Sequence, residues 1–381
     1  MQLPLLLRGF VVLGVMLMHT AWFFSQGQEK TWVAVSGMLL DILSLFAVPL
    51  FMFISGYIFV SRHRHADAYS FSFCRKMTMS VLSPYLLFSL LYIGGAYYFN
   101  DERYTPDRIL ELVVTGSAAV HLGFFRALFG FYLFYPLIIR CFQRCRKNRT
   151  LRFFFSAVVI LQIVWKTANN MQFADEHIAE LILAATFLRY IAYFSFGISA
   201  YFYRRKILRW IDGHFRLLEI LLLLSVPLIA VCWLAKYYWK SYPLLEFCCF
   251  PLNLLLYTII IAMLFRRAEK LAVQDSFRSR FITYIGNYSF GIFLLHIIFM
   301  YIGVKALGIL SLTPQDIFFY PLLFIIMLTM SICAMELLVR LPLHEYIIGS
   351  VSNLHIFRRS LNLRKETAAL LQSLKRISFD R

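Results

Sequence analysis

The sequence predicts an all-α polytopic membrane protein with about ten transmembrane helices and both termini in the cytoplasm. Sixty per cent of the 381 residues are hydrophobic and only 15% are charged, whereas a soluble domain carries roughly 25% charged residues. The apolar segments run for about twenty residues, which is enough to cross the ~30 Å hydrocarbon layer. Lysine and arginine recur in alternate loops, as the positive-inside rule requires.

Ten spans can be drawn from the apolar runs. They cover residues 3–24, 38–60, 79–99, 121–140, 151–166, 181–203, 217–235, 244–265, 281–304 and 317–340. The loops after the second, fourth, sixth and eighth spans are basic, and two of the intervening loops are acidic, which places both termini in the cytoplasm. The net charge of +18 is therefore interpreted as a topology signal, and nucleic acid is not a predicted partner.

The chain divides into two parts at the end of the last span. Residues 1–340 form an integral membrane domain, and residues 341–381 form a basic amphipathic tail in the cytoplasm. The tail stretch "LNLRKETAALLQSLKRISF" can form a short helix with an apolar stripe and basic flanks, suited to an anionic leaflet. The seven cysteines show no metal-ligand spacing, so no metal site is predicted.

The first span, "LPLLLRGFVVLGVMLMHTAWFF", carries two ionisable residues, Arg8 and His19. Their separation of eleven residues is close to three helical turns, so both side chains lie on one face, ~16 Å apart along the axis. Ionisable groups at this depth are costly and are functional candidates by default. A neutral imidazole is a base near physiological pH, and a guanidinium grips phosphate. The alternatives are a hydrogen-bonded packing histidine and an arginine that reaches back to the inner interface.

Other ionisable residues also fall inside the predicted spans. They are Asp41, Arg126, Arg189, His296 and Glu336, with His121 at the outer edge of the fourth span. The first and ninth spans both enter from the cytoplasm, so His19 and His296 reach similar depths. His121 begins a helix that enters from outside and can approach the same zone.

Local spacing suggests structural roles for several of these residues. Glu336 and Arg340 form an i,i+4 pair, and Asp41 complements a helix dipole or pairs with Arg126 or Arg189. Ser55-Gly56 permits close helix packing. Ser289 lies two turns below His296 on the same face, lining either a common cavity or a helix interface.

Five segments, taken in order, resemble the membrane-bound acyltransferase 3 family. The first span matches its Arg-x10-His signature through Arg8 and His19. The others are "VPLFMFISGYIF", "FCRKMTMSVLSPYLLF", "HLGFFRALFGFYLFYPLI" and "GNYSFGIFLLH", and together the match runs from residue 3 to residue 340. Gly123 stands where the family has tryptophan, and Phe290 and Phe293 stand where aromatic hydroxyls are common.

The resemblance implies transfer of an acyl group, usually acetyl, from cytoplasmic acyl-CoA to a hydroxyl of a sugar, surface polysaccharide or lipid-linked glycan. It implies a multi-pass protein of the inner (plasma) membrane. In this picture Arg8, Arg75 and Lys76 bind the phosphates of CoA. His19 and His296 are catalytic, with His19 either deprotonating the acceptor or carrying the acyl group transiently. The acceptor is bound by Ser289, His121, Tyr288 and Arg126.

A polytopic transporter or exporter of a glycan or glycan precursor is the alternative. Ten spans and buried charges fit that function equally well. Transporters often show repeated halves with glycine- or proline-broken helices at matched positions. The sequence contains neither feature, which favours the acyltransferase.

Overall fold

The computed structural model describes residues 2–25, 32–62, 71–100, 102–170, 185–239, 243–342 and 344–349. These ranges contain helices and no strand. The first seven α-helices are α1 (Gln2–Ser25), α2 (Trp32–Ser44), α3 (Ala47–Arg62), α4 (Phe71–Asn100), α5 (Pro106–Thr115), α6 (Phe124–Lys147) and α7 (Leu151–Asn170). A 3-10 helix (Thr186–Tyr190) precedes α8 (Ile191–Gly213), α9 (Phe215–Trp239), α10 (Pro243–Val273), α11 (Phe277–Ile309), α12 (Phe319–Leu338) and α13 (His344–Ile348).

The all-α polytopic fold class is confirmed. In the described ranges, nine candidate spans are long and apolar enough to cross a membrane. The predicted sixth span, 181–203, corresponds to the 3-10 helix and α8, outside these nine. The second half of α8 lies beyond the predicted span and contains the basic run from Arg204 to Arg209, and the helix kinks at Tyr203. The first half of α8 is nevertheless packed inside the helix bundle, with Phe194 and Ile198 fully buried.

Helices α1 and α11 cross closely at a pair of glycines. A Cβ on Gly286 would overlap the carbonyl oxygen of Leu5, and a Cβ on Gly9 would overlap the carbonyl oxygen of Ile282. The imidazoles of His19 on α1 and His296 on α11, each ten residues further along its helix than the glycine, lie 5.0 Å apart between ring centroids. The two helices therefore run in parallel, with Gly9 level with Gly286.

Helices α3 and α8 repeat this arrangement. A Cβ on Gly56 would overlap the carbonyl oxygen of Phe194, and a Cβ on Gly197 would overlap that of Phe53. The predicted packing role of Ser55-Gly56 is confirmed. Tyr57 and Tyr201, which follow Gly56 and Gly197 along their helices, lie 5.5 Å apart between ring centroids, so this pair is parallel as well. That direction agrees with the predicted second and sixth spans, which both run inward. Which end of the bundle faces the cytoplasm stays a prediction.

The short helix α5 and the turn after it deliver His121 to the bundle interior. Thr105 caps the start of α5 through the Arg108 amide, and Gly116 ends the helix in the left-handed conformation at φ 68°. The chain then passes through a compact turn before α6 begins at Phe124. His121 lies in this turn and is only 5% exposed, because the turn directs it inward between the neighbouring helices.

The chain returns to the bundle after α12. The Ser83 hydroxyl of α4 donates a hydrogen bond to the carbonyl of Tyr346 at 3.0 Å, and Ile348 is 1% exposed. The first residues of the predicted tail are thus packed against the membrane domain. Residues 350–381, which contain the predicted amphipathic stretch, lie outside the described residues.

Candidate active site

Three histidines from three parts of the chain meet inside the bundle. The ring centroids of His19 and His296 are 5.0 Å apart, those of His121 and His296 5.1 Å, and those of His19 and His121 6.4 Å. All three are buried, with exposures of 9% for His19, 5% for His121 and 0% for His296. The predicted common depth of His19 and His296 and the approach of His121 are therefore confirmed. We call these residues the histidine centre.

The glycine crossing explains why two of these histidines meet. His19 follows Gly9 by ten residues, and His296 follows Gly286 by ten residues. Because the helices are parallel and the two glycines are level, the imidazoles rise ~15 Å above the crossing together. His121 is brought to them by the turn before α6.

The hydrogen bonds of His296 determine which of its nitrogens is basic. Its Nδ1 lies 2.7 Å from the carbonyl oxygen of Phe293. A carbonyl only accepts, so Nδ1 carries the proton and Nε2 presents its lone pair. The Nε2 of His296, the Nε2 of His19 and both ring nitrogens of His121 are buried without a hydrogen-bond partner in the described part of the chain. Buried polar atoms are normally paired, so this centre is suited to receiving a polar ligand.

Aromatic side chains surround the histidine centre. The Phe293 ring lies 5.2 Å from His121 and 5.8 Å from His296. Phe124 packs against Phe293 at 5.6 Å, and Tyr92 packs edge-on against His121 at 5.2 Å. Such surroundings exclude water, which strengthens any electrostatic interaction made by the imidazoles.

Arg8 lies in the N-terminal third of α1 and is partly buried. The continuous helix from Gln2 to Ser25 places Arg8 on the same face as His19, about 20° apart around the axis and ~16 Å apart along it. Arg75 and Lys76 fall within α4, but their side chains lie outside the described part of the structure. Their predicted role in binding CoA stays a prediction.

Two predicted substrate residues lie on α11 nearer to its N-terminus than the histidine centre. Ser289 is buried, about 10 Å down the helix axis from His296. The Tyr288 hydroxyl donates to Oε1 of Glu336 at 2.6 Å, and the Tyr284 hydroxyl donates to the same oxygen at 2.8 Å. Tyr288 is therefore engaged between α11 and α12, and the structure does not bring it to the imidazoles.

The remaining candidate residues are dispersed. Arg126 is partly buried on α6 within electrostatic range of Tyr85, and its Nε lacks a hydrogen-bond partner in the described ranges. Arg189 is exposed, with its guanidinium 5.5 Å from the Tyr190 ring centroid. Asp41 is partly buried on α2. The described residues contain no group of three or more His, Cys, Asp or Glu side chains that could hold a metal ion.

Comparison with known families identifies the chain. A family model described as an acyltransferase domain, of the acyltransferase 3 family, matches residues 6–336 of 381. The chain belongs to the acyltransferase 3 family. Neither the curated proteins nor the solved structures give a match.

This acyltransferase is a multi-pass membrane protein, and the family match favours the acyltransferase over the transporter raised by the sequence. The family match includes Arg8, all three histidines and, as its last residue, Glu336. The two departures on α11, Phe290 and Phe293, both lie in the aromatic surroundings of the site. Phe293 contacts the histidine centre directly, and Phe290 packs edge-on against Phe125 at 6.0 Å.

Two tyrosines of the candidate site and its neighbourhood were missed in the sequence. Tyr92 touches His121, but a tyrosine within an apolar helix gives no sequence signal. Tyr284 binds Glu336 together with Tyr288, which the sequence analysis had assigned to the acceptor, and the i,i+4 spacing of the two tyrosines does place them on one face. That spacing was the available signal, but it does not reveal which residue the hydroxyls face.

Proposed function

We propose that the chain transfers an acetyl group from cytoplasmic acetyl-CoA to a hydroxyl of a sugar, as part of a surface polysaccharide or a lipid-linked glycan, in the inner (plasma) membrane. Membership of the acyltransferase family supplies the reaction class. The identity of the donor, the acyl group and the acceptor is the proposed part.

One observation carries the proposal. His19, His121 and His296 meet with ring nitrogens that lack described partners, and Arg8 lies on the His19 face of α1. A phosphate-binding cation and a buried base are the two groups that this reaction requires at its two ends. The pantetheine arm of CoA extends roughly 15–20 Å, which is comparable with the ~16 Å between Arg8 and His19 along the helix.

In the proposed reaction, Nε2 of His19 removes the proton from the acceptor hydroxyl as its oxygen attacks the thioester carbonyl. A C–O bond forms and the C–S bond breaks, and the proton passes from His19 to the departing CoA thiolate. In the second route, Nε2 of His19 attacks the thioester carbonyl, so that an N–C bond forms, the C–S bond breaks and the CoA thiolate departs. The acceptor oxygen then displaces the imidazole from the acyl carbon, and the hydroxyl proton passes to the thiolate. The products in both routes are the ester and CoA.

The other two histidines serve the acceptor side in this proposal. The Nε2 lone pair of His296 accepts a hydrogen bond from the acceptor, because its Nδ1 proton is committed to the Phe293 carbonyl. A ring N–H of His121 stabilises the oxyanion that develops on the carbonyl oxygen. Ser289 and Arg126 are the proposed contacts further from the reacting atoms.

Membranes containing the chain and supplied with acetyl-CoA labelled in the acetyl group test this function. We expect label to appear in the glycan or lipid-linked glycan fraction. His19→Ala should lower the transfer rate by about 10²–10⁴-fold, which is the usual contribution of a general base. The amount of folded protein should stay unchanged.

The matched control is His214→Ala. His214 is exposed and stacks on Trp210 at 4.8 Å, remote from the histidine centre in sequence, and its loss should leave transfer intact. Label that remains on CoA in the presence of the wild-type chain and the host's glycans would argue against an acetyl-CoA donor. Undiminished transfer by His19→Ala would remove His19 from the chemistry.

A further inference from the structure

Tyr92 of α4 contacts both His121 and the helix that carries His296. Its ring centroid is 5.2 Å from that of His121, with the rings nearly perpendicular at 75°. Its hydroxyl donates a hydrogen bond to the carbonyl of Leu294 on α11 at 2.8 Å. Leu294 is two residues before His296, so one side chain contacts His121 and the backbone that carries His296.

The hydroxyl of Tyr92 makes contact at a specific place in α11. The carbonyl of Leu294 is the natural acceptor for the amide of Ile298 in an α-helix, and these two residues bracket His296. The Tyr92 hydroxyl therefore binds the backbone of the helical turn that carries the imidazole.

The ring of Tyr92 packs against the other histidine, His121. Neither nitrogen of His121 has a hydrogen-bond partner in the described ranges, so packing alone orients this imidazole. Tyr92 contacts its ring from one side, and Phe293 contacts it from another at 5.2 Å and 77°. An edge-to-face arrangement of this kind is directional as well as apolar.

We propose that Tyr92 is a positioning residue of the acyltransferase: through its hydroxyl and its ring it holds His296 and His121 in register with each other. The inference rests on the proposed function, because it gives the reason why the two imidazoles need a fixed separation. Tyr92 does not touch the reacting atoms in this proposal.

The chain offers a matched control for the loss of this hydroxyl. The hydroxyl of Tyr320 on α12 also donates to a backbone carbonyl, that of Pro314, at 2.6 Å, and Tyr320 is 4% exposed. Tyr92→Phe and Tyr320→Phe therefore remove the same kind of bond from a partly buried and a buried tyrosine. Only the first of the two contacts the histidine centre in the described structure.

The test compares wild type, Tyr92→Phe and Tyr320→Phe in two measurements. The first is the rate of label transfer as a function of acetyl-CoA concentration. We expect Tyr92→Phe to lower the maximal rate by about three- to tenfold, the range that follows from one lost hydrogen bond. The concentration of acetyl-CoA that gives half the maximal rate should not change.

The second measurement does not depend on activity. The purified protein is treated with diethyl pyrocarbonate, and modification of His121 and His296 is followed by peptide mass spectrometry. Tyr92→Phe should speed the modification of both residues because they are held less firmly, while Tyr320→Phe should match wild type. Melting temperatures of the three proteins show whether they are equally folded.

The outcomes separate this inference from the proposed function. Wild-type rates of both transfer and histidine modification in Tyr92→Phe would overturn the positioning role. Equal effects of Tyr92→Phe and Tyr320→Phe would also overturn it, because they indicate a general loss of stability. If the wild-type chain transfers no label, the proposed function fails, and the modification rates alone decide the role of Tyr92.

Discussion

The α1/α11 pair and the α3/α8 pair pack through the same kind of backbone contact but contribute differently to the protein. Each pair is parallel, and in each the helices meet at two glycines where a Cβ would overlap a facing carbonyl. In the first pair, a histidine follows each glycine by ten residues. In the second pair, the residues around the crossing are mainly aromatic, including Phe194, which is stacked on Phe131 at 4.2 Å.

The difference shows that close packing and chemistry are separable features of this fold. A glycine crossing fixes the level of one helix against its neighbour, because the backbones are in close contact and neighbouring side chains would clash if one helix slid along the other. In α1/α11 this fixed level aligns two imidazoles. In α3/α8 the fixed level stabilises the bundle. Two ion pairs also join the ends of α8 and α10, one between Arg204 and Glu269 and one between Arg266 and Asp212.

The largest expected contrast comes from removing one buried polar side chain in each pair. His296→Ala should lower transfer by about 10²-fold or more, because it deletes an imidazole from the centre. Ser195→Ala on α8 should leave transfer unchanged and stability unchanged or higher. The Ser195 hydroxyl is fully buried without a hydrogen-bond partner in the described ranges, and removing such a group relieves a desolvation cost.

The measurement is label transfer per folded molecule, with folded protein quantified by size-exclusion chromatography in detergent. A loss of transfer in Ser195→Ala as large as that in His296→Ala would contradict the proposed separation of roles, with α1/α11 carrying the chemistry and α3/α8 the packing. It would place the α3/α8 pair in the catalytic machinery.

The second contrast adds one methyl group at each crossing. Gly286→Ala and Gly197→Ala should each destabilise the protein by about 1–3 kcal/mol, as expected for overpacking against an unyielding backbone. Gly286→Ala should also lower transfer per folded molecule, because it moves His296 relative to His19. Gly197→Ala should keep that value.

Thermal unfolding in detergent and label transfer measure the two quantities separately. Gly94→Ala on α4 is the control, since a Cβ there meets no atom within 4 Å and alanine is the better helix former. Equal losses of transfer per folded molecule in Gly286→Ala and Gly197→Ala would contradict the separate roles of the two crossings.

The smallest expected effect lies in the loop that joins α11 to α12. The Thr313 amide donates to Asp316 Oδ2 at 2.7 Å and the Thr313 hydroxyl donates to it at 2.9 Å, and these bonds lower the pKa of Asp316 below its ordinary value. A lowered folded-state pKa contributes stability above the unfolded pKa of about 3.9 and loses it as the pH falls through the folded pKa. Asp316→Asn should therefore lower the melting temperature slightly at pH 7, and the difference from wild type should shrink towards pH 3. A difference that grows in acid would show that the carboxylate does not hold the loop in this way.

Much of helix α1 was predictable because helical spacing is periodic. The separation of eleven residues from Arg8 to His19 places them on one face in any continuous helix. The alternation of basic loops predicted that the spans of His19 and His296 run in the same direction. The contact between the two histidines was beyond such reasoning. It depends on Gly9 and Gly286 being level, and a glycine in an apolar helix does not reveal its partner.

The polar residues between helices were the least predictable part. Glu336 was expected to pair with Arg340 along its own helix, and its Oε1 accepts hydrogen bonds from Tyr284 and Tyr288 of α11. Arg126 and Arg189 were equal candidates to pair with Asp41, and the structure places Arg189 at the surface and Arg126 near Tyr85. Each choice depends on which helices are neighbours, and local spacing carries no information on that.

The sequence by itself determined that the chain lies in a membrane, that its helices cross repeatedly, and that a cation and a base share one face of the first helix. These properties follow from hydrophobicity and from the 3.6-residue turn, which act within each segment. Only the tertiary structure decided that three imidazoles meet, that Tyr92 binds the backbone beside one and packs on another, and that Tyr288 faces away from them. These facts arise from side-chain packing between helices that are distant in sequence, where shape and backbone proximity select the partner.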